Sequence, residues 1–102
     1  MVDRDYVVRD NQAERRYELL LGDELVGEIL YRTKPGTVVL VHTEVEPAVE
    51  GSGLGSRLVG EALDDIRSRG LSVVPLCPFV AAYIRHHPEY DDLVLRDRAI
   101  PN

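Results

Sequence analysis

Lysine, cysteine and long apolar runs are all scarce in this 102-residue chain, and each scarcity closes off a class of function. The only lysine is Lys34, well upstream of the glycine-rich stretch at 51–55, so the Gly-x4-Gly-Lys phosphate loop is excluded. The only cysteine is Cys77, which rules out an internal disulfide framework. With His42, His86 and His87 it makes no spaced zinc set, and no metal is expected. No apolar run approaches the ~20 residues that a membrane helix needs. The opening "MVDRDYVVRD" lacks the apolar core of a signal peptide, so a cytoplasmic protein without a membrane partner is the expectation. Basic charge is short as well, with 12 basic against 18 acidic residues and a net charge of -6. Such a surface repels phosphate backbones, so no nucleic-acid partner is expected, and any phosphate-bearing ligand must be held by local groups.

What is present suits one packed domain spanning residues 1–102, with 44% hydrophobic residues to fill its core. No internal repeat or low-complexity segment interrupts it. "YVVRDN" and "RRYELLLGDE" read as short strands around a polar turn at 12–14, and "ELVGEILYRT" as a third strand. Pro35-Gly36 then predicts a tight turn into the valine-rich "VVLVHTEV", which Pro47 ends because proline cannot donate to a ladder. Leu54, Leu58, Val59, Ala62, Leu63 and Ile66 recur at helical spacing, and Gly70 marks the stop. "LSVVPLC" reads as a buried strand, and Pro78 opens a second helix that Pro88 limits. The fold class is therefore α+β with an α/β-like half: an antiparallel meander followed by β-α-β-α through one right-handed crossover.

The stretch "EGSGLGSRL" joins the fourth strand to the first helix. The G-x-G-x-x-G dinucleotide pattern fails there because it would need glycine at Ser56. G-x-G-x-G at a helix start still presents unhindered N–H groups at the positive end of the helix, a site suited to a pyrophosphate. The alternative is a turn whose glycines only relieve steric strain. Spacing alone leaves both readings open.

"VEPAVEGSGLGSRLVGEAL" resembles motif A of the GNAT-type N-acetyltransferase superfamily, Arg/Gln-x-x-Gly-x-Gly/Ala. "LSVVPLCPFVAAYIRHHPEY" closely resembles the small YjdJ-like branch of that superfamily, and "HTEV" at 42–45 belongs to the same resemblance, which covers about residues 38–90. The resemblance implies a GNAT-like fold, a mixed sheet with flanking helices in which strand 4 splays from strand 5. That slot would hold the pantetheine arm of acetyl-CoA along Val45, with Gly51, Ser52, Gly53, Leu54, Gly55 and Ser56 around the pyrophosphate. The helices that usually separate the first two strands have no room here. Two further departures stand out: Glu50 replaces the usual Arg or Gln, and Arg85 falls where a general-acid tyrosine is usual. Arg57 is either a compensating charge for the phosphates or a solvent-facing helix arginine.

Acetyl transfer to an amine needs a neutral amine, a polarised carbonyl and a proton for the leaving thiolate. The Val45 N–H is the natural carbonyl polariser. His42 and Glu44 share one face of an alternating strand, as a base and its partner, unless the imidazole simply bonds within the sheet. Cys77 precedes a helix, a position that favours thiolate, so it is an acetyl acceptor, an acid, or a small buried hydrophobe. The expected function is transfer of acetyl from acetyl-CoA to an amine acceptor, small molecule or protein. The alternatives are a CoA-binding module without transfer and a plain protein-interaction domain.

Overall fold

A computed structural model describes residues 5–95; residues 1–4 and 96–102 of the expected 1–102 domain lie outside the described residues. β1 (Tyr6–Asn11), β2 (Arg16–Leu21), β3 (Glu24–Lys34) and β4 (Thr37–Val45) form an antiparallel meander. α1 (Leu54–Ser68) then crosses over to β5 (Ser72–Pro75), which pairs in parallel with β4. α2 (Pro78–His86) follows, so the sheet is mixed with strand order β1-β2-β3-β4-β5. Among the described residues no helix is long and apolar enough to cross a membrane.

The helical stripe read from the sequence is the buried stripe. Leu58, Val59, Ala62, Leu63 and Ile66 are fully buried and Leu54 nearly so. Each large member contributes about 1.5–3 kcal/mol relative to exposure. They meet Tyr17, Leu19, Ile29, Tyr31, Val38, Leu40 and Val73 of the sheet, with Val80 and Ile84 of α2, in one core. At the far end of α1, Arg69 bonds Asp65 (3.0 Å) and Asp10 (2.7 Å). The Tyr17 hydroxyl donates to Asp65 (2.7 Å) and the Tyr31 hydroxyl to Asp10 (2.6 Å). Burial, and then those same carboxylates, push both phenols up, so both stay protonated donors.

One irregularity decides which side chains reach the site. Tyr31 pairs with Leu40 but Leu30 pairs with His42, which leaves Val41 as an extra residue, a bulge. Val38 and Leu40 face the helices before it. After it the parity switches, so that Thr43 and Val45 do so opposite Ile29 and Gly27. Without the bulge, His42 and Glu44 would point into the core.

Candidate active site

β5 pairs with β4 only from Thr37↔Ser72 to Leu40↔Pro75. There the chain turns away: the Cys77 N–H donates to the Leu40 carbonyl (3.0 Å) and α2 starts at Pro78. The second half of β4 thus keeps β3 on one side and diverges from β5 on the other, the splay that the resemblance implies. The Glu46 N–H bonds the Val26 carbonyl on the β3 side (2.8 Å). Successive N–H groups of a strand alternate, so that of Val45 is directed away from β3, into the splay.

The chain after β4 makes one 3-10 turn, Pro47–Val49, before the glycines. Gly51 and Gly53 have φ of 81° and 86°, the left-handed region that other residues enter only with strain, and Gly53 is the N-cap of α1. The Ser52 hydroxyl donates to the Val49 carbonyl and accepts from the Leu54 N–H (3.3 Å), which pins the turn. Leu54 therefore already has a local partner for its N–H, while the first-turn N–H groups of Gly55 and Ser56 have no acceptor earlier in the helix. A Cβ at Gly55 would lie 3.3 Å from Phe79 Cζ and 3.6 Å from Val45 Cγ2, so glycine lets α1 approach both β4 and α2.

Between these parts lies a cavity of about 380 Å³ lined by Thr43, Val45, Glu50, Gly51, Gly53, Gly55, Ser56 and Phe79. A second hollow, about 510 Å³, shares Thr43, Val45 and Glu50 with it and adds the carboxylates Glu28, Glu44 and Glu46. Four carboxylates around one hollow suit a cationic group. The glycine cradle, the free strand edge and the helix start form a path with N–H donors at one end and an extended backbone at the other. That is the shape a diphosphate with a long amide-bearing arm requires, so acetyl-CoA fits the residues present.

The candidate side chains fall on both faces of β4. Cys77 is buried, with 4% of its surface exposed, and its thiol donates to Thr43 Oγ1 (3.2 Å) on the groove side. His42 and Glu44 project from the opposite face, with Nε2 and Oε2 3.6 Å apart and both side chains more than half exposed. Next to them run Arg9, Glu18 and Glu28, directly opposite one another and in line with Glu44 across four strands. Burial alone would raise the Glu18 carboxyl. Hydrogen bonds from Arg16 (2.6 Å), Arg9 (2.8 Å) and Asn11 (3.0 Å) outweigh it and hold the group below the usual carboxylate range.

Arg57 does not line the glycine groove. Its guanidinium bonds the Tyr6 carbonyl (2.7 Å) and Glu61 (2.7 Å), a tie between α1 and β1 that sequence spacing does not reveal. Glu50 does line it, and lines the acidic hollow too. Thr43 and Phe79 are groove residues that the sequence reading left without a role. Alternation had placed Thr43 opposite His42, the one signal available. The groove lining contains no tyrosine, and the Tyr83 hydroxyl sits over Gly60 instead. Among the described residues there is no cluster of three or more metal-ligating side chains.

A family model for the GCN5-related N-acetyl-transferases matches residues 16–93. The chain belongs to that family. No curated protein sequence matches it. Among solved structures, a GCN5-like protein of Staphylococcus aureus superposes with a TM-score of 0.68 at 20% identity, covering 96% of this chain and 98% of that one. The ribosomal-protein-S18-alanine N-acetyltransferase of Escherichia coli gives 0.57 at 15% identity, covering 85% of this chain and 54% of that one. Ard1 of Thermoplasma volcanium gives 0.52 at 20% identity, covering 76% and 55%. These likenesses establish the GCN5-related fold. The larger two chains extend well beyond the part this chain matches. Within that fold β4 and β5 are the pair that diverges, with the glycine turn at the start of α1 beside the opening.

Proposed function

We propose that this chain transfers an acetyl group from acetyl-CoA to a primary amine. The observation that carries the reading is the groove in which the free edge of β4 at Thr43 and Val45 meets the glycine turn. Bound acetyl-CoA supplies an activated thioester. The N–H groups of Gly51, Gly53, Gly55 and Ser56 hold its pyrophosphate, and that of Leu54 joins them by leaving Ser52. The Val45 N–H bonds the thioester carbonyl and stabilises the oxyanion as the amine adds. The amine arrives from the acidic hollow, where Glu28, Glu44, Glu46 and Glu50 attract its ammonium form. His42, steadied by Glu44, takes the proton that makes the nitrogen nucleophilic. As the tetrahedral centre collapses, the C–S bond breaks, the Cys77 thiol gives its proton to the departing sulfur, and the second proton lost by the acylated nitrogen restores the thiol. Thr43 orients that thiol. In this role Cys77 stands in for the tyrosine that Arg85 displaces.

The test is thiol release from acetyl-CoA across polyamines, small amines and peptides, with wild type and Cys77→Ala. Proton donation at this position predicts a loss of about 10²-fold or more in turnover with acetyl-CoA affinity kept. Mass measurement after mixing with acetyl-CoA, without an acceptor, examines the other role of Cys77. An acetyl group retained on Cys77 would replace proton donation with a covalent route. Binding without thiol release for any amine would overturn the transferase reading.

A further inference from the structure

Away from the glycine groove, a hollow of about 210 Å³ opens between the β1–β2 turn, β3, β4 and the chain just after α1. Its apolar wall is made of the Tyr17 and Tyr31 rings, tilted 49° to each other, with Val38 and Leu71. Val38 lines this hollow and Val45 the groove, which sets the two about 20 Å apart along β4.

Two unbalanced charges of opposite sign meet there. Arg69 alone serves two carboxylates, Asp10 (2.7 Å) and Asp65 (3.0 Å), so one negative charge is left over. The Tyr31 hydroxyl reaches one Asp10 oxygen and Arg69 the other, and lone pairs remain on both for a further donor. Arg15 lines the same hollow, and its guanidinium has no hydrogen-bond or ion-pair partner among the described residues. Arg15 is also the one described residue other than glycine with positive φ, 56°. That left-handed region is strained for any residue with a Cβ. Its N–H donates to the Gln12 carbonyl (3.2 Å) and its carbonyl accepts from the Tyr31 N–H (2.9 Å), which holds the conformation. Glycine would make this turn without strain, yet an arginine stands there and presents a charge to the hollow. Strain kept where a charged group is displayed points to function.

We propose that this hollow binds a free α-amino acid with an apolar side chain, its carboxylate on Arg15, its ammonium on Asp10 and its side chain against the rings of Tyr17 and Tyr31. A zwitterion matches a site with one unpaired charge of each sign, whereas a plain anion would meet Asp10 and a plain cation Arg15. The Thr33 hydroxyl, also in the lining, is a further donor for the carboxylate. The hollow is smaller than the ~300–1,000 Å³ typical of sites for larger ligands, which favours a single residue over a peptide. Bound there, the amino acid joins the β1–β2 turn to β3, β4 and the end of α1, so it stabilises the fold. The site is separate from acetyl transfer and does not depend on it.

Titration of the protein with L-leucine, N-acetyl-L-leucine and L-leucinamide, followed through its amide shifts, tests this directly. L-leucine should move the amides of Arg15, Thr33 and Leu71 with a dissociation constant on the order of 1 mM, and leave those of Gly51 to Ser56 in place. N-acetyl-leucine lacks the ammonium and leucinamide the carboxylate, so each should bind about tenfold more weakly, the scale of one charge-assisted contact. Arg15→Gly removes the guanidinium and the strain together. It should unfold at a higher temperature than wild type while its leucine affinity falls about tenfold. If that variant does not fold, Arg15→Asn, whose side chain tolerates the left-handed region, should show the same loss of affinity. Wild type that binds N-acetyl-leucine or leucinamide as well as leucine would overturn the proposal. So would a folded Arg15 variant with wild-type affinity, or no shift at Arg15 with any of L-leucine, L-valine and L-phenylalanine.

Discussion

The two halves of β4 do opposite work. From Thr37 to Leu40 the strand is paired on both sides and all four residues are buried. From Val41 to Val45 it has β3 on one side and the splay on the other, and its residues alternate between half-buried and exposed. The closed half sits where β5 joins the sheet; the open half is where the strand edge, the glycine turn and Cys77 converge. The proposed function depends on withholding a strand partner over a few residues, and the closed half holds the structure that makes this tolerable.

The sharpest way to break the comparison is to damage the closed half. Leu40 is fully buried, and Leu40→Ala should lower unfolding free energy by about 2–5 kcal/mol in urea titration. That would be a large share of the ~5–15 kcal/mol typical of a domain, and ligand binding should fall only as folding does. Damage to the open half should separate the two properties. Gly53→Ala forces a side chain into φ of 86°, which should cost about 1–2 kcal/mol of stability. Acetyl-CoA affinity, read by calorimetry, should fall by more than that because the cradle N–H groups lose their aim.

A third test uses acid. The Glu18 carboxyl is held low in the folded state, so its contribution is full above the ordinary glutamate value, near 4.3. It is lost as pH falls through the lower folded value. Wild-type stability should therefore drop in that acid window, and Glu18→Gln should show a shallower drop in acid titrations followed by circular dichroism. The smallest effect sharpens the open half. Glu50 lines the groove, so Glu50→Arg should tighten CoA binding by about 0.5–1 kcal/mol, reduced by added salt. No change would mean that the backbone alone carries the phosphate.

Much of this was readable from local pattern. The six apolar positions of α1, the Pro35-Gly36 turn, the stop at Pro47 and the helix start at Pro78 are each set by neighbours in sequence, and the structure has all four. Contacts between distant elements were not readable. Arg57 reaches Tyr6 across 51 positions, Tyr17 reaches Asp65 across 48, and Cys77 meets Thr43 across 34. Each depends on how a helix or strand returns to the sheet. The Val41 bulge is likewise a property of two strands, and alternation carried on from Val38 and Leu40 would have turned His42 and Glu44 inward. Gly60 drew no notice in a helical run. In the fold its Cβ would lie 2.7 Å from the Tyr83 hydroxyl, so glycine there is what lets the two helices lie side by side.

The near-absence of lysine acquires a meaning at this point. An enzyme that holds an activated acyl group is surrounded by its own amines, and any flexible ammonium within reach competes with the true acceptor. Among the described residues the one side-chain amine is Lys34, exposed at the β3–β4 turn, at the opposite end of β4 from Val45. Cationic work elsewhere on the surface falls to arginine, whose guanidinium is a poor nucleophile. Under the proposed acetyl transfer, the chain would be a poor substrate for itself.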